Sequence, residues 1–110
     1  MSRWETQLRK GVVELAVLAS IARGETYGYR IVEQLQLSDG LAFTESTVYP
    51  VLTRLARDGF LAIRAEASPA GPTRRYYRLT PDGERRFRQM AESWRTVSQS
   101  LSGLLEGAQR

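Results

Sequence analysis

Toward its C-terminus the chain carries Phe87, Met90, Trp94, Val97, Leu101 and Leu104, separated alternately by three and four residues. That spacing is a heptad seam, and it predicts a helix from Pro81 to near Leu105 with one apolar edge. Thr80-Pro81-Asp82 is a start signal for it: a capping hydroxyl, a proline where a missing N–H costs least, and an acid that suits the helix dipole. A chain of 110 residues has room for one compact domain and little more. A helix this long has no partner of its own for the whole seam, so a two-fold homodimer is expected. Packing on the chain's own first helix is the alternative, and both can hold. Residues 107–110 read as a short tail.

The remaining residues, 1–80, must form the small domain. From about Thr6 to Arg23 a single helix is expected, apolar over so much of its circumference that Leu8 and Val12 could also meet a second subunit. Gly24 stops it. Thr26 reads as the N-cap of a second helix, Tyr27 to Leu37. Gly28 in its first turn is costly by propensity and suits close approach, either to a phosphate or to a neighbouring helix. Ser38-Asp39-Gly40 closes that helix, and the link to Thr44 is short. The third helix, Thr44 to Asp58, gathers Val48, Val51, Leu52 and Leu55 on one side. Ser46, Tyr49, Pro50, Thr53, Arg54 and Arg57 spread over the other, which carries hydroxyls and guanidinium groups and no carboxylate. Such a face suits DNA base edges and phosphates, although many polar faces are only solvated.

Phe60 to Ala67 and Arg74 to Leu79 alternate as strands, joined through the turn formers Ser68-Pro-Ala-Gly-Pro72. The expected fold is therefore mainly α with a two-stranded β-hairpin: a winged helix-turn-helix domain over 1–80 and a C-terminal dimerisation helix over 81–110. Arg74 and Arg75 are expected at the tip of the wing.

Composition narrows the chemistry. With no histidine and no cysteine, the chain lacks the commonest general base, the thiolate nucleophile and the best metal ligands. No enzyme, metal or cofactor is expected. No apolar run approaches the ~20 residues of a membrane span, and no signal peptide is evident, so a cytoplasmic protein is expected. The net charge of +4 is not spread evenly. Acids and bases cancel over residues 1–63 and again over 89–110, whereas residues 64–88 hold seven arginines against three acids. A basic patch of that kind, just after the third helix, is the electrostatic footprint of a polyanion binder.

Leu8-Arg-Lys-Gly-Val-Val-Glu-Leu-Ala-Val-Leu18, Tyr27-Gly-Tyr-Arg-Ile31, Ser46-Thr-Val-Tyr-Pro-Val-Leu-Thr-Arg-Leu55 and Gly71-Pro-Thr-Arg-Arg-Tyr-Tyr-Arg-Leu-Thr80 together resemble the PadR family of transcriptional regulators. The resemblance runs through essentially the whole chain in order, and the single C-terminal helix is similar to the shorter subfamily. It implies a winged helix-turn-helix, a homodimer through the first and last helices, and repression of stress or efflux genes. In some members of that subfamily a tryptophan of the last helix holds planar aromatic molecules, and Trp94 falls at that position; a plain core role is the alternative. Glu45 stands where the family often has a neutral or basic residue, so it either caps the helix or alters the base contacts.

On this reading the partner is double-stranded DNA carrying an inverted repeat. Ser46, Thr47, Tyr49 and Arg54 would lie nearest the bases, with Pro50 on the same face and Thr53 and Arg57 less central. Tyr27, Gly28, Arg74, Arg75 and Tyr76 would hold phosphates. The competing reading is a winged-helix module that binds an acidic protein and never touches DNA.

Overall fold

Ser2 opens the first helix, α1 (Arg3–Lys10), through a reciprocal cap: its hydroxyl accepts from the Glu5 N–H, and the Glu5 carboxylate accepts from the Ser2 N–H. The computed structural model describes residues 2–108 of the 110. At Gly11-Val12 the chain breaks before α2 (Val13–Ala22), so the single helix expected from Thr6 to Arg23 is two. Glycine's weak helix propensity permits the break, and the two pieces have different surroundings. α1 buries no residue, whereas α2 buries Val17, Leu18 and Ile21.

After α2 come a short strand β1 (Thr26–Tyr27), helix α3 (Gly28–Gln36), helix α4 (Glu45–Arg57), strands β2 (Leu61–Ser68) and β3 (Gly71–Leu79), and the long helix α5 (Pro81–Ala108). Thr26 is thus not a helix cap. It pairs with Tyr77, and Tyr27 with Tyr76, which makes the sheet three-stranded in the order β1-β3-β2 rather than a two-stranded hairpin. The extended backbone of Tyr27 serves both as strand and as N-cap of α3. The hairpin turns tightly, with Ser68 opposite Gly71, so Arg74 and Arg75 lie within β3 opposite Glu66 and Ala65 and not at the tip.

The core joins Val17, Leu18 and Ile21 of α2 to Ile31, Val32 and Leu35 of α3 and to Val48, Leu52 and Leu55 of α4, closed by Phe43, Leu61 and Tyr77. The Gln36 side-chain amide donates to the Phe43 carbonyl at 3.1 Å and pins the α3–α4 link. Pro50 lies inside α4, where it removes one backbone bond without ending the helix.

Gly59, with φ +85°, terminates α4. The Phe60 N–H donates to the Leu55 carbonyl at 2.9 Å and the Gly59 N–H to that of Ala56 at 3.2 Å, a Schellman ending that needs the left-handed backbone of glycine. α5 begins against this turn. The Thr80 hydroxyl donates to the Gly59 carbonyl at 2.7 Å and accepts from the Gly83 N–H at 3.0 Å, while the Thr80 N–H donates to the Phe60 carbonyl at 3.1 Å.

From there α5 runs for 28 residues, about 42 Å at the usual helical rise. Its seam divides. Phe87 and Met90 pack on the chain's own core, as does Val12, because these three lie beside α2 and the domain. Trp94, Val97, Leu101 and Leu104 are exposed, and so are Trp4 and Leu8 of α1. The helix continues through Gly107 and Ala108, where a tail was expected; Gln109 and Arg110 lie outside the described residues. No helix among the described residues is long and apolar enough to cross a membrane.

A Cβ at Gly83 would run into the Phe60 carbonyl oxygen, whereas one at Gly103 would meet nothing. Gly83→Ala should therefore lower stability by about 2–3 kcal/mol through overpacking against rigid backbone. Gly103→Ala should raise it by roughly 0.5–1 kcal/mol through helix propensity. Denaturant melts of the two variants check this pair of opposite signs.

Candidate nucleic-acid interface

Two concave surfaces of the domain differ in charge. One follows α3 past Tyr29, Glu33 and Leu37 to Thr44 and Glu45, and has two carboxylates on its walls. The other, of about 670 Å³, lies between α4 and the wing. Tyr27, Gly28, Tyr49, Thr53, Arg74 and Arg75 line it with Ser68, Thr73 and Tyr77, and no acid does. Residues from both halves of the sequence-expected site thus face one groove.

Gly28 sits in that groove for a packing reason. A Cβ on it would come within 2.6 Å of the Tyr49 ring, so the glycine lets the end of that ring pack on the first turn of α3. Of the two uses open to Gly28, close packing against a neighbouring helix is the one seen. Burial raises the Tyr49 hydroxyl above its ordinary pKa, helped by the charge of Glu45 one helical turn earlier and by Tyr77. The phenol therefore stays a neutral donor.

The wing is stiffened at its root by a stack across the sheet. The Arg74 guanidinium lies 4.3 Å from the centre of the Tyr27 ring, Tyr27 meets Tyr76 edge-on with centroids 5.6 Å apart, and Arg64 covers Tyr76 at 4.8 Å. Arg64 is anchored to Glu25 at 2.7 Å and Glu66 at 3.0 Å. The hydrogen bonds from Arg64 hold the Glu25 carboxyl below its ordinary pKa. Strand alternation puts Arg75 on the same side of β3 as the buried Tyr77, and Arg74, Tyr76 and Arg78 on the opposite side; at the curled end of the wing both Arg74 and Arg75 reach the groove.

The basic patch resolves into two kinds of arginine. Arg64, Arg85, Arg86 and Arg88 pair with Glu25 and Glu66, Asp82, Glu14, and Glu84 respectively. Arg74, Arg75 and Arg78 form no close ion pair among the described residues, and Arg78 acts on Glu25 only through space. The uncompensated charge is therefore carried by one strand, β3. Arg78, missing from the sequence-expected site, belongs to this group, and its place two residues beyond Tyr76 on an alternating strand was the signal for it.

On α4 the expected residues separate. Ser46, Thr47, Tyr49, Pro50 and Thr53 are exposed. Their hydroxyls are partly engaged: Ser46 with Thr44 at 2.8 Å, and Thr53 donating to the Tyr49 carbonyl at 3.0 Å. Arg54 differs. It turns to Glu14 of α2, at 3.0 Å, because that carboxylate lies beside the C-terminal half of α4. Arg57 pairs with Asp58 at 3.2 Å. Trp94 is 46% exposed, so it is not a core residue of the chain. No cluster of acids among the described residues could hold a metal ion.

The profile of the transcriptional regulator PadR-like family matches residues 17–89. A PadR-like transcriptional regulator from Bacillus cereus superposes with a TM-score of 0.80 at 32% identity, over 90% of this chain and 96% of that one. A curated transcriptional regulator from Mycobacterium tuberculosis is 32% identical over 77 residues, 70% of each chain. The Bacillus subtilis PadR structure solved with operator DNA matches with a TM-score of 0.68 at 26% identity, over 73% of this chain and 46% of that longer one. With the family profile covering most of the chain and a solved member sharing its fold over 90% of it, the protein belongs to the PadR-like family of transcriptional regulators.

Proposed function

We propose that the protein is a homodimeric, sequence-specific DNA-binding repressor. The observation that carries this reading is the acid-free groove between α4 and the wing, with two arginines and several hydroxyls on its walls. A phosphodiester strand is the polymer such a groove suits: arginine and hydroxyl donors meet its oxygens, and nothing in the walls repels it. The operator-bound relative from Bacillus subtilis supports the same use of the fold. The N-terminal turns of α4 enter the major groove with Ser46, Thr47, Tyr49, Pro50 and Thr53 toward the bases. Tyr27, the backbone at Gly28, Arg74, Arg75 and Tyr76 hold the flanking phosphates. Arg54 has a weaker claim to the bases because Glu14 engages it.

The exposed apolar residues of α1 and α5, Trp4, Leu8, Trp94, Val97, Leu101 and Leu104, support a two-fold interface. An inverted repeat with half-sites about one helical turn (~10 bp) apart, or a multiple of it, follows from that symmetry. Trp94 in this interface is a platform for a planar aromatic effector.

Gel shifts on the protein's own upstream region at two salt concentrations test the reading. Binding should fall steeply with salt as counterions are released, and Arg74→Ala with Arg75→Ala should flatten the slope by about 0.9 for each phosphate that is no longer neutralised. An acidic protein partner with no shifted DNA would replace this reading by the interaction module. Leu101→Glu should convert the dimer to monomer in sedimentation velocity and abolish cooperative occupation of the two half-sites. Planar aromatics should quench tryptophan fluorescence, and Trp94→Ala should remove that quenching; quenching that survives the substitution takes the effector site elsewhere.

A further inference from the structure

Glu14 of α2 is largely sequestered, with 12% of its side chain exposed, and two helices share it. Its Oε1 lies 3.0 Å from a terminal nitrogen of Arg54 on α4. Its Oε2 accepts from Nε of Arg86 on α5 at 2.9 Å, and the second nitrogen of Arg86 reaches Oε1 at 3.5 Å. The Arg86 guanidinium also lies over the Phe60 ring, 4.9 Å from its centre, at the turn where α4 ends. Two like charges from two different helices thus converge on one carboxylate. Without that carboxylate they would repel each other in a partly desolvated place.

The other ion pairs of α5 are unlike this one. Asp82 with Arg85 and Glu84 with Arg88 each lie within the helix and tie it to nothing else. Glu14 joins the helix proposed to read bases to the helix proposed to dimerise.

We infer that Glu14 is a positioning residue for operator recognition, which through Arg54 and Arg86 fixes the angle of α4 on α5 and so the half-site spacing the dimer accepts. The inference rests on the dimeric DNA-binding function proposed above. In a two-fold dimer joined through α5, the separation of the two copies of α4 depends on how each is seated on its own α5. A rotation of roughly 5° acting over roughly 30 Å moves a recognition helix by about 3 Å, close to the rise of one base pair. An angle held by a charged bridge is thus enough to select one spacing over its neighbours.

The test uses the full-length protein and duplexes that it selects from a random pool, rebuilt with the gap between half-sites lengthened or shortened one base pair at a time. The unsubstituted protein should prefer one gap. Glu14→Gln, which keeps the shape and removes the charge, should reduce that preference by roughly tenfold, with binding to a duplex holding a single half-site unchanged. Arg86→Lys retains the charge with a single point of contact and should give an intermediate loss; Arg85→Ala should retain the full preference. If Glu14→Gln does not fold, as judged by circular dichroism, Arg86→Lys decides. Uniform weakening at every gap, with the preferred gap retained, overturns the inference and leaves Glu14 a stabiliser of the domain. Failure of the unsubstituted protein to select any sequence is a separate result, and it removes the DNA-binding function itself.

Discussion

The contact on which the rest of the molecule depends is the meeting of two helix ends at Gly59-Phe60 and Thr80-Gly83. A Schellman turn leaves the carbonyls of Gly59 and Phe60 pointing away from α4, and the Thr80 hydroxyl and N–H take up both. Gly83 lets the first turn of α5 settle directly onto the Phe60 carbonyl. The carbonyls of the turn that closes α4 are thereby satisfied by Thr80, the residue that also caps α5. Everything between the two ends, namely β2, β3 and the wing, closes as a loop whose base is this junction. The long helix starts there, and the exposed part of its apolar seam lies farther along it.

Electrostatics divides the arginines of residues 64–88 by task. Those near the junction and in α5 are matched to acids, and the charge they add to the surface is small. Arg64 is matched twice over and acts chiefly as a brace for Tyr76. What remains unmatched lies along β3, beside a groove without carboxylates. A net charge counted on the sequence places the excess in this region, and ion pairing confines it to fewer arginines than the count includes.

Much of the architecture was legible because its signals are local. The capping sequence Thr80-Pro81-Asp82 marks the start of α5, Gly59 the end of α4, and alternation marks both long strands. The reciprocal cap Ser2-Arg-Trp-Glu5 is equally local and places the start of α1 at Arg3 rather than Thr6. Other features have no local signal. β1 is two residues long and exists because Tyr76 and Tyr77 pair with it. The break at Gly11-Val12 follows from α2 sinking into the core while α1 stays on its surface. The partners of Glu14 lie 40 and 72 residues away, and a residue that reads as an outward-facing arginine on a helical wheel, Arg54, turns to it. The acid-free groove was legible in its residue types; the separation of Arg54 from it was not.

Tyr49 and Gly28 pack closely, so a side chain at position 28 would make the phenol shift. Ser46, Thr47 and Thr53 are exposed and carry no such obligation. If α4 reads an operator, sequence drift in that operator can be followed step by step at those three positions. At Tyr49 the position of the phenol is coupled to the glycine beneath it. The helix thus contains one slow position and several fast ones for the divergence of binding preference between related regulators.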